Sequence, residues 1–96
     1  MRLTEKERAV LKEIVRRADP EAEVYLYGSR ADDALKGGDI DLLILSRRLT
    51  LSNKLDFLVQ MKDALGEQKI DILIKTPEAG RADPFARDVL KAALRL

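Results

Sequence analysis

Two apolar runs that each enclose aspartate constrain this chain more than any other feature. The first covers residues 38–45 and the second residues 69–74. Side chains alternate between the two faces of a strand, so Asp39 and Asp41 are predicted on one face of the first, and Asp71 with Leu73 on one face of the second. Two ionised carboxylates roughly 7 Å apart repel by about 2 kcal/mol at an effective dielectric near 20. Such strands therefore require positive charge close to the acids.

Hydrophobic periodicity predicts four helices and three strands in alternation. Thr4 and Glu7 form a capping box before an apolar stripe, which predicts a first helix over Glu5–Ala18. Further helices are predicted at about residues 30–35, along an apolar pattern from Leu51 that ends near Gly66, and from the Asp83-Pro84 pair to about Leu94. Strands are predicted at residues 24–27, 39–45 and 70–75, and residues 76–82 are expected to form a loop.

This element order predicts the fold class. An α-β-α-β-α-β-α order favours an α/β (α+β) fold with a small mixed sheet of about three to four strands. Helices are expected mainly on one face of the sheet, which leaves the other face partly open. With 96 residues, the chain is expected to form a single domain over residues 1–96, and its substrate is expected to come from outside.

The composition excludes several kinds of catalytic and metal-binding site. The chain has no cysteine and no histidine, which excludes disulfides, Cys/His zinc sites and imidazole bases. The remaining carboxylates and hydroxyls suit hard cations such as magnesium or manganese. A net charge of +1 gives no reason to expect direct nucleic-acid or membrane binding. Because no apolar leader or spanning stretch is found, we expect a cytoplasmic protein.

A turn at Gly28-Ser29 supplies a second candidate feature. Glycine allows a backbone to approach a ligand closely, and amides at the start of a following helix commonly hold phosphate. Ser29 could add its hydroxyl and Arg30 its charge. Taken alone, a turn of this kind is an ordinary serine cap roughly nine times in ten.

In combination, these motifs resemble the nucleotidyltransferase superfamily that includes DNA polymerase beta. The signature of that superfamily is a hydrophobic strand, Gly-Ser, a short helix, an Asp-x-Asp strand and a third acid on a later strand. Here it reads Leu26-Tyr27-Gly28-Ser29-Arg30-Ala31, then Gly38-Asp39-Ile40-Asp41-Leu42, then Asp71. In size and motif the chain is most similar to the minimal nucleotidyltransferases, which are single-domain proteins usually encoded beside a helical HEPN partner.

The resemblance implies a role for each matched residue. Asp39 and Asp41 would bind two Mg²⁺ ions, or Mn²⁺, and Asp71 would bind the metal nearer the attacking hydroxyl and help to deprotonate it. Gly28 and Ser29 would hold the β and γ phosphates of ATP, and Arg30 would contact phosphate. Two cations about 3.5–4 Å apart stabilise both the attacking and the leaving oxygens of such a transfer.

The resemblance also implies a biological role. AMP would pass from ATP to a hydroxyl, typically of a tyrosine, on a HEPN toxin, so that the protein is an antitoxin within a hetero-oligomer. The sequence departs from the family where Asp32-Asp33 replace the frequent Arg-Gly and Gly38 replaces the frequent Ser. The extra negative charge at Asp32-Asp33 affects the expected nucleotide affinity rather than the metal acids.

Other interpretations stay open. The protein could be a catalytically inert antitoxin or scaffold that neutralises a helical partner by binding, or it could modify a small molecule such as an aminoglycoside. The three acids could be charges that protect an edge strand, or ion-pair partners of Lys36, Lys69 or Lys75. Tyr25 and Tyr27 are expected in the core or at its rim rather than stacked on a base.

Overall fold

The three predicted strands and a short strand at the end of the chain form one sheet. A computed structural model describes residues 3–28, 39–66 and 68–96. Within these ranges the strands are β1 (Glu23–Tyr27), β2 (Ile40–Leu45), β3 (Ile70–Lys75) and β4 (Leu94–Arg95). Their order is β3-β2-β1-β4, with β1 antiparallel to both β2 and β4, and β2 parallel to β3. This mixed sheet confirms the predicted α/β (α+β) fold class.

The helices begin and end at residues suited to those positions. Those in the described ranges are α1 (Glu5–Ala18), α2 (Leu51–Leu65), α3 (Pro77–Ala82) and α4 (Pro84–Ala92). The predicted capping box opens α1, since the Thr4 hydroxyl accepts from the Glu7 N–H and the Glu7 carboxylate accepts from the Thr4 N–H, both at 3.0 Å. Gly66 ends α2 with a φ of +87°. The helix predicted at about residues 30–35 lies outside the described residues.

The main hydrophobic core lies between the sheet and the pair α1 and α2. Alternation along β2 turns Ile40, Leu42 and Ile44 to this face, where all three are fully buried. Both helices and the neighbouring strands complete the core with the apolar side chains of Leu11, Ile14, Val15, Leu26, Phe57, Met61 and Ile72. Full burial of side chains of this size stabilises a fold by about 1.5–3 kcal/mol each.

Within the described ranges, the opposite face of the sheet is covered only at one end. Leu43 and Leu45 of β2 pack there against Ala86 of α4. Asp41, on the same face of β2, is only half-buried, and Asp71 of β3 is exposed. The two long helices α1 and α2 thus lie on one face, whereas the shorter α3 and α4 contact the second face at Leu43 and Leu45. Among the described residues, no helix covers the acidic end of that second face.

Two predicted boundaries are wrong. Most of the loop predicted at residues 76–82 is the helix α3 (Pro77–Ala82), because the Thr76 hydroxyl caps it by accepting from the Ala79 N–H at 3.1 Å and Pro77 occupies its first turn. The last helix ends at Ala92 rather than near Leu94. Leu94 belongs to β4, where it pairs with Leu26 and so satisfies backbone groups on the outer edge of β1.

Candidate functional site

The predicted acids lie where β2 and β3 begin. In the register of these parallel strands Asp41 is directly opposite Asp71, and on its other side Asp41 is directly opposite Tyr27 of β1. Directly opposed residues share a face of the sheet. Tyr27, Asp41 and Asp71 therefore form a row across three strands on the open face, which we call the acidic row. This placement agrees with the alternation seen in the sequence, while the roles of the acids stay predictions.

Negative charge is concentrated in the acidic row. Burial raises the pKa of the Asp41 carboxyl above its ordinary value, and the carboxylates of Asp71 and Asp39 raise it further, whereas the Lys69 ammonium lowers it. Burial also raises the pKa of the Tyr27 phenol, with additional contributions from Asp41 and Asp71. A cation bound here would favour the ionised carboxylates and offset their repulsion.

Lys69 supplies positive charge beside the acidic row. Its Nζ lies 3.8 Å from Oδ2 of Asp39. The backbone brings the two residues to the same level, because the Ile40 N–H donates to the Lys69 carbonyl at 2.9 Å. With side chains 70% and 48% exposed, the pair is screened by water and contributes at most about 1 kcal/mol. Within the described part of the chain, no basic side chain forms an ion pair with Asp41 or Asp71.

Gly28 closes the row at the end of β1. Its φ is +74°, a conformation that glycine adopts without strain. A Cβ at this position would collide with Oδ2 of Asp41 and lie 3.3 Å from its Cγ. Glycine is thus required both for the turn and for the close approach of Asp41. Ser29 and Arg30, the other predicted phosphate-binding residues, lie outside the described residues.

The donor chemistry fits a hard divalent cation, although the side chains are not gathered around one. Asp39, Asp41 and Asp71 offer only carboxylate oxygens, which are the preferred ligands of Mg²⁺ and Mn²⁺. Among residues 3–28, 39–66 and 68–96, no group of three or more acidic side chains is arranged closely enough to hold a metal ion. Metal binding would therefore require the three carboxylates to turn toward one another and Asp39 to leave Lys69.

Two residues at this site, Tyr27 and Lys69, are not among those predicted from the sequence to form it. Tyr27 packs at the rim of the smaller apolar cluster, as predicted, and it also lies directly opposite Asp41. Its position immediately before Gly28 was the available signal. Lys69 was considered only as an alternative ion-pair partner, and it proves to pair with Asp39. Tyr25 takes no part in the row, because its hydroxyl donates to Glu23 at 2.7 Å.

Asp19, a buried acid outside the acidic row, has a structural role. Its side chain is almost fully buried, and it accepts hydrogen bonds from the Ser46 hydroxyl at 2.5 Å and from the Glu21 N–H at 3.0 Å. The Ser46 hydroxyl oxygen in turn accepts from the N–H groups of Arg48 and Leu49 at 3.0 and 3.1 Å. These bonds join the end of α1 to the end of β2, so we do not place Asp19 in the site.

Comparison with known proteins agrees with the geometry. A family model described as a nucleotidyltransferase domain matches residues 8–95, which is nearly the whole chain. No curated protein matches the sequence. Among the helices of the described ranges, none combines the length and the apolar character that a membrane span requires.

Proposed function

This chain belongs to the nucleotidyltransferase domain family, and we propose that it is a metal-dependent enzyme that transfers AMP from ATP to a hydroxyl group on a protein partner. Family membership supports nucleotidyl transfer in general, and the metal, the nucleotide and the acceptor are our proposal. The observation that carries it is the direct opposition of Asp41 and Asp71 on neighbouring strands, beside the glycine turn at Gly28.

The three acids have different proposed roles, in metal binding and in proton transfer. Asp39 and Asp41 would hold two Mg²⁺ ions, with Mn²⁺ as a substitute, and such a pair stabilises charge on the attacking and leaving oxygens. Asp71 is the exposed member of the acidic row. Asp71 is therefore accessible to an acceptor hydroxyl that approaches from solvent. We propose that its carboxylate accepts the proton of that hydroxyl. The acceptor oxygen bonds to the α-phosphorus as the bond from that phosphorus to pyrophosphate breaks.

The glycine turn would hold the leaving phosphates. Gly28 combines a positive φ with the absence of a side chain, which leaves its backbone accessible next to Asp41. Ser29 and Arg30 follow it in the sequence and would add a hydroxyl and a guanidinium. The α-phosphate would then lie between this turn and the acids.

The acceptor is proposed from the resemblance to the minimal nucleotidyltransferases. Their usual partner is a helical HEPN toxin, and the modified hydroxyl is typically that of a tyrosine. On this basis the protein would act in the cytoplasm as an antitoxin, within a hetero-oligomer, and would silence its partner by adenylylation.

A labelling experiment tests the proposal. The protein and its candidate partner are incubated with ATP labelled at the α-phosphate and with Mg²⁺, and label is expected on a tyrosine of the partner. Asp41→Asn and Asp71→Asn should each abolish labelling while the complex still forms. Asp88→Asn, a change at an exposed acid of α4, is the matched control and should label normally. An unlabelled partner in an intact wild-type complex would remove the enzymatic proposal.

The main alternative is neutralisation by binding alone. It is favoured by the ion pair between Asp39 and Lys69 and by the absence, in the described ranges, of a group of acids arranged to hold a metal. Asp39→Asn, Asp41→Asn and Asp71→Asn distinguish the two functions. Neutralisation that survives all three changes supports binding, whereas loss of neutralisation with the complex intact supports catalysis.

A further inference from the structure

β3 forms an open edge of the sheet. It pairs with β2 on one side and, among the described residues, with no strand on the other. Such an edge presents unpaired N–H and C=O groups, which favour the addition of another strand. β3 has six residues, of which four are apolar, namely Ile70, Ile72, Leu73 and Ile74.

Hydrogen bonds between β2 and β3 determine which residues face outward. The carbonyls of Lys69 and Lys75 accept from N–H groups of the β2 segment at 2.9 Å. Main-chain groups of successive residues in a strand point to opposite sides. The odd-numbered residues of β3 therefore face β2, and the N–H and C=O groups of Ile70, Ile72 and Ile74 face outward. Any added strand must bond to these three residues.

One antiparallel register with a second copy of β3 satisfies both hydrogen bonding and charge. If Leu73 lies opposite Leu73 of the second copy, Ile72 of each copy forms a hydrogen-bonded pair with Ile74 of the other. Asp71 then lies directly opposite Lys75, and the symmetry creates this pair twice. Opposed residues of opposite charge stabilise a sheet by roughly 0.2–1 kcal/mol per pair.

Neither of the two neighbouring allowed registers has this complementarity. With the axis at Ile74, Lys75 would lie opposite Leu73 and Asp71 would lie beyond the end of β3 of the second copy, so no charged pair would form. If the axis passed through Ile72 instead, Lys69 would lie opposite Lys75, which places like charges together. Asp71 would lie opposite Leu73 and gain no partner. The charges of β3 therefore select the register centred on Leu73.

An apolar cavity of about 270 Å³ lies beside this edge. It is lined by Leu73 and Ile74, whose side chains point to opposite faces of the sheet. Because β2 occupies the inner side of β3, a space in contact with both side chains must lie at the outer edge. The start of α2 forms the other wall through Leu49, Thr50, Leu51 and Lys54.

The cavity leads onto an exposed apolar stripe of α2. Leu51, which lines the cavity, is followed at intervals of four residues by Leu55 and Val59, so the three share one side of the helix. Their exposed fractions are 68%, 56% and 70%. Side chains of this size are costly to leave in water, and a surface that covers them would stabilise the protein.

We propose that β3 pairs antiparallel with β3 of a second copy, with the axis at Leu73, to give a symmetric dimer with one continuous sheet. Apolar side chains of the second copy cover the cavity at the edge. In this dimer Lys75 of the second copy lies beside Asp71, at the end of the acidic row. Asp71 belongs both to this interface and to the proposed site, but the dimer is inferred from the edge of the sheet and its charges and does not depend on the transfer reaction.

Charge exchange across the axis tests the proposal. Analytical ultracentrifugation of the full chain is expected to show a concentration-dependent species of twice 10.8 kDa. Asp71→Lys or Lys75→Asp alone places like charges opposite each other and should weaken dimerisation at least tenfold. A mixture of the two variants restores both pairs and should give a one-to-one heterodimer. Lys6→Asp, the same charge change on exposed α1, should leave the dimer unchanged.

A crosslink tests the register without changing charge. The chain has no cysteine, so Leu73→Cys creates a single thiol that faces its own copy across the axis. Mild oxidation should convert it to a disulfide-linked dimer. Leu94→Cys, on the opposite edge strand β4, is the control and should stay unlinked. A wild-type chain that stays monomeric up to millimolar concentration overturns the proposal, as does a dimer unaffected by both charge changes.

Discussion

Asp41 lies against Gly28 so closely that no side chain fits at the glycine. This contact joins the turn that ends β1 to the second acid of the Asp-x-Asp motif. Tyr27 and Asp71 flank Asp41 in the register of the sheet. The glycine turn and the acidic motif, which together suggested the family, are therefore parts of one local structure. In it, the proposed phosphate-binding turn lies next to the proposed metal-binding acids.

Substitution of Gly28 tests this contact. Gly28→Ala forces a residue with a side chain to a φ of +74° and drives its Cβ into the Asp41 carboxylate. We expect the free energy of unfolding to fall by about 1–3 kcal/mol, as measured by urea denaturation. In an Asp41→Ala background the collision is absent, and only the strain of the positive φ remains, about 1 kcal/mol. An equal loss in both backgrounds would contradict the contact.

Asp41 should make the stability of the metal-free protein depend on pH. Because the folded state raises the pKa of Asp41, the folded protein binds more protons than the unfolded chain between the two pKa values. Stability then increases as the pH falls through the folded pKa toward the unfolded value of about 3.9.

Replacement of Asp41 by asparagine measures this effect directly. Asp41→Asn removes a charge that burial and two other acids disfavour, so its melting temperature at neutral pH should exceed that of the wild type in a chelator. The difference should vanish as the pH falls below about 4. Asp88→Asn, at an acid paired with Lys91 on the surface, should show no such gain. A destabilised Asp41→Asn at neutral pH would indicate that Asp41 has a favourable partner.

Local sequence signals predicted most of the fold. The capping box at Thr4 and the glycine at Gly66 predicted the start of α1 and the approximate end of α2, the two helices of the main core. Alternation predicted which residues share a face within β2 and within β3, and the register of the two strands then places Asp41 and Asp71 on the same face of the sheet. The caps and the alternation depend on neighbours a few residues apart, and such neighbours are visible in a sequence.

Features that depend on distant contacts were missed. β4 forms because Leu94 pairs with Leu26, which lies far away in the chain. The apolar periodicity of the last helix continues to Leu94, so the sequence predicted a helix that was too long. The partner of Asp39 could not be chosen among three lysines until the register of β2 and β3 was known. At Thr76-Pro77 the capping signal was present, but α3 has only six residues and is too short for periodicity to reveal.

The buried pair of Asp19 and Ser46 should contribute strongly to stability. Ser46→Ala removes a donor to a buried carboxylate and an acceptor for two main-chain N–H groups. We expect the free energy of unfolding to fall by about 1–3 kcal/mol, as measured by chemical denaturation. Ser52→Ala, at an exposed position in the first turn of α2, should change it by less than about 0.5 kcal/mol. Similar losses for the two variants would contradict the role of the buried pair.

Metal binding should compete with the ion pair of Asp39 and Lys69. A cation held by the acidic residues stabilises only the folded protein, so Mg²⁺ or Mn²⁺ should raise the melting temperature of the wild type. Asp41→Asn should lose most of this shift. Lys69→Met removes the resident positive charge, and we expect Mn²⁺ to bind about two- to fivefold more tightly, the equivalent of a surface ion pair worth up to about 1 kcal/mol.

Isothermal titration with Mn²⁺, which requires no turnover, measures this competition. Lys91→Met, which breaks an exposed pair with Asp88 on α4, is the control, and its Mn²⁺ affinity should equal that of the wild type. Salt screens the attraction between Mn²⁺ and the acids in both proteins. In the wild type it also screens the Lys69 charge, which competes with Mn²⁺ for the same carboxylate. Higher salt should therefore weaken Mn²⁺ binding less in the wild type than in Lys69→Met. Weaker Mn²⁺ binding by Lys69→Met would mean that Lys69 positions Asp39 for the metal instead of competing with it.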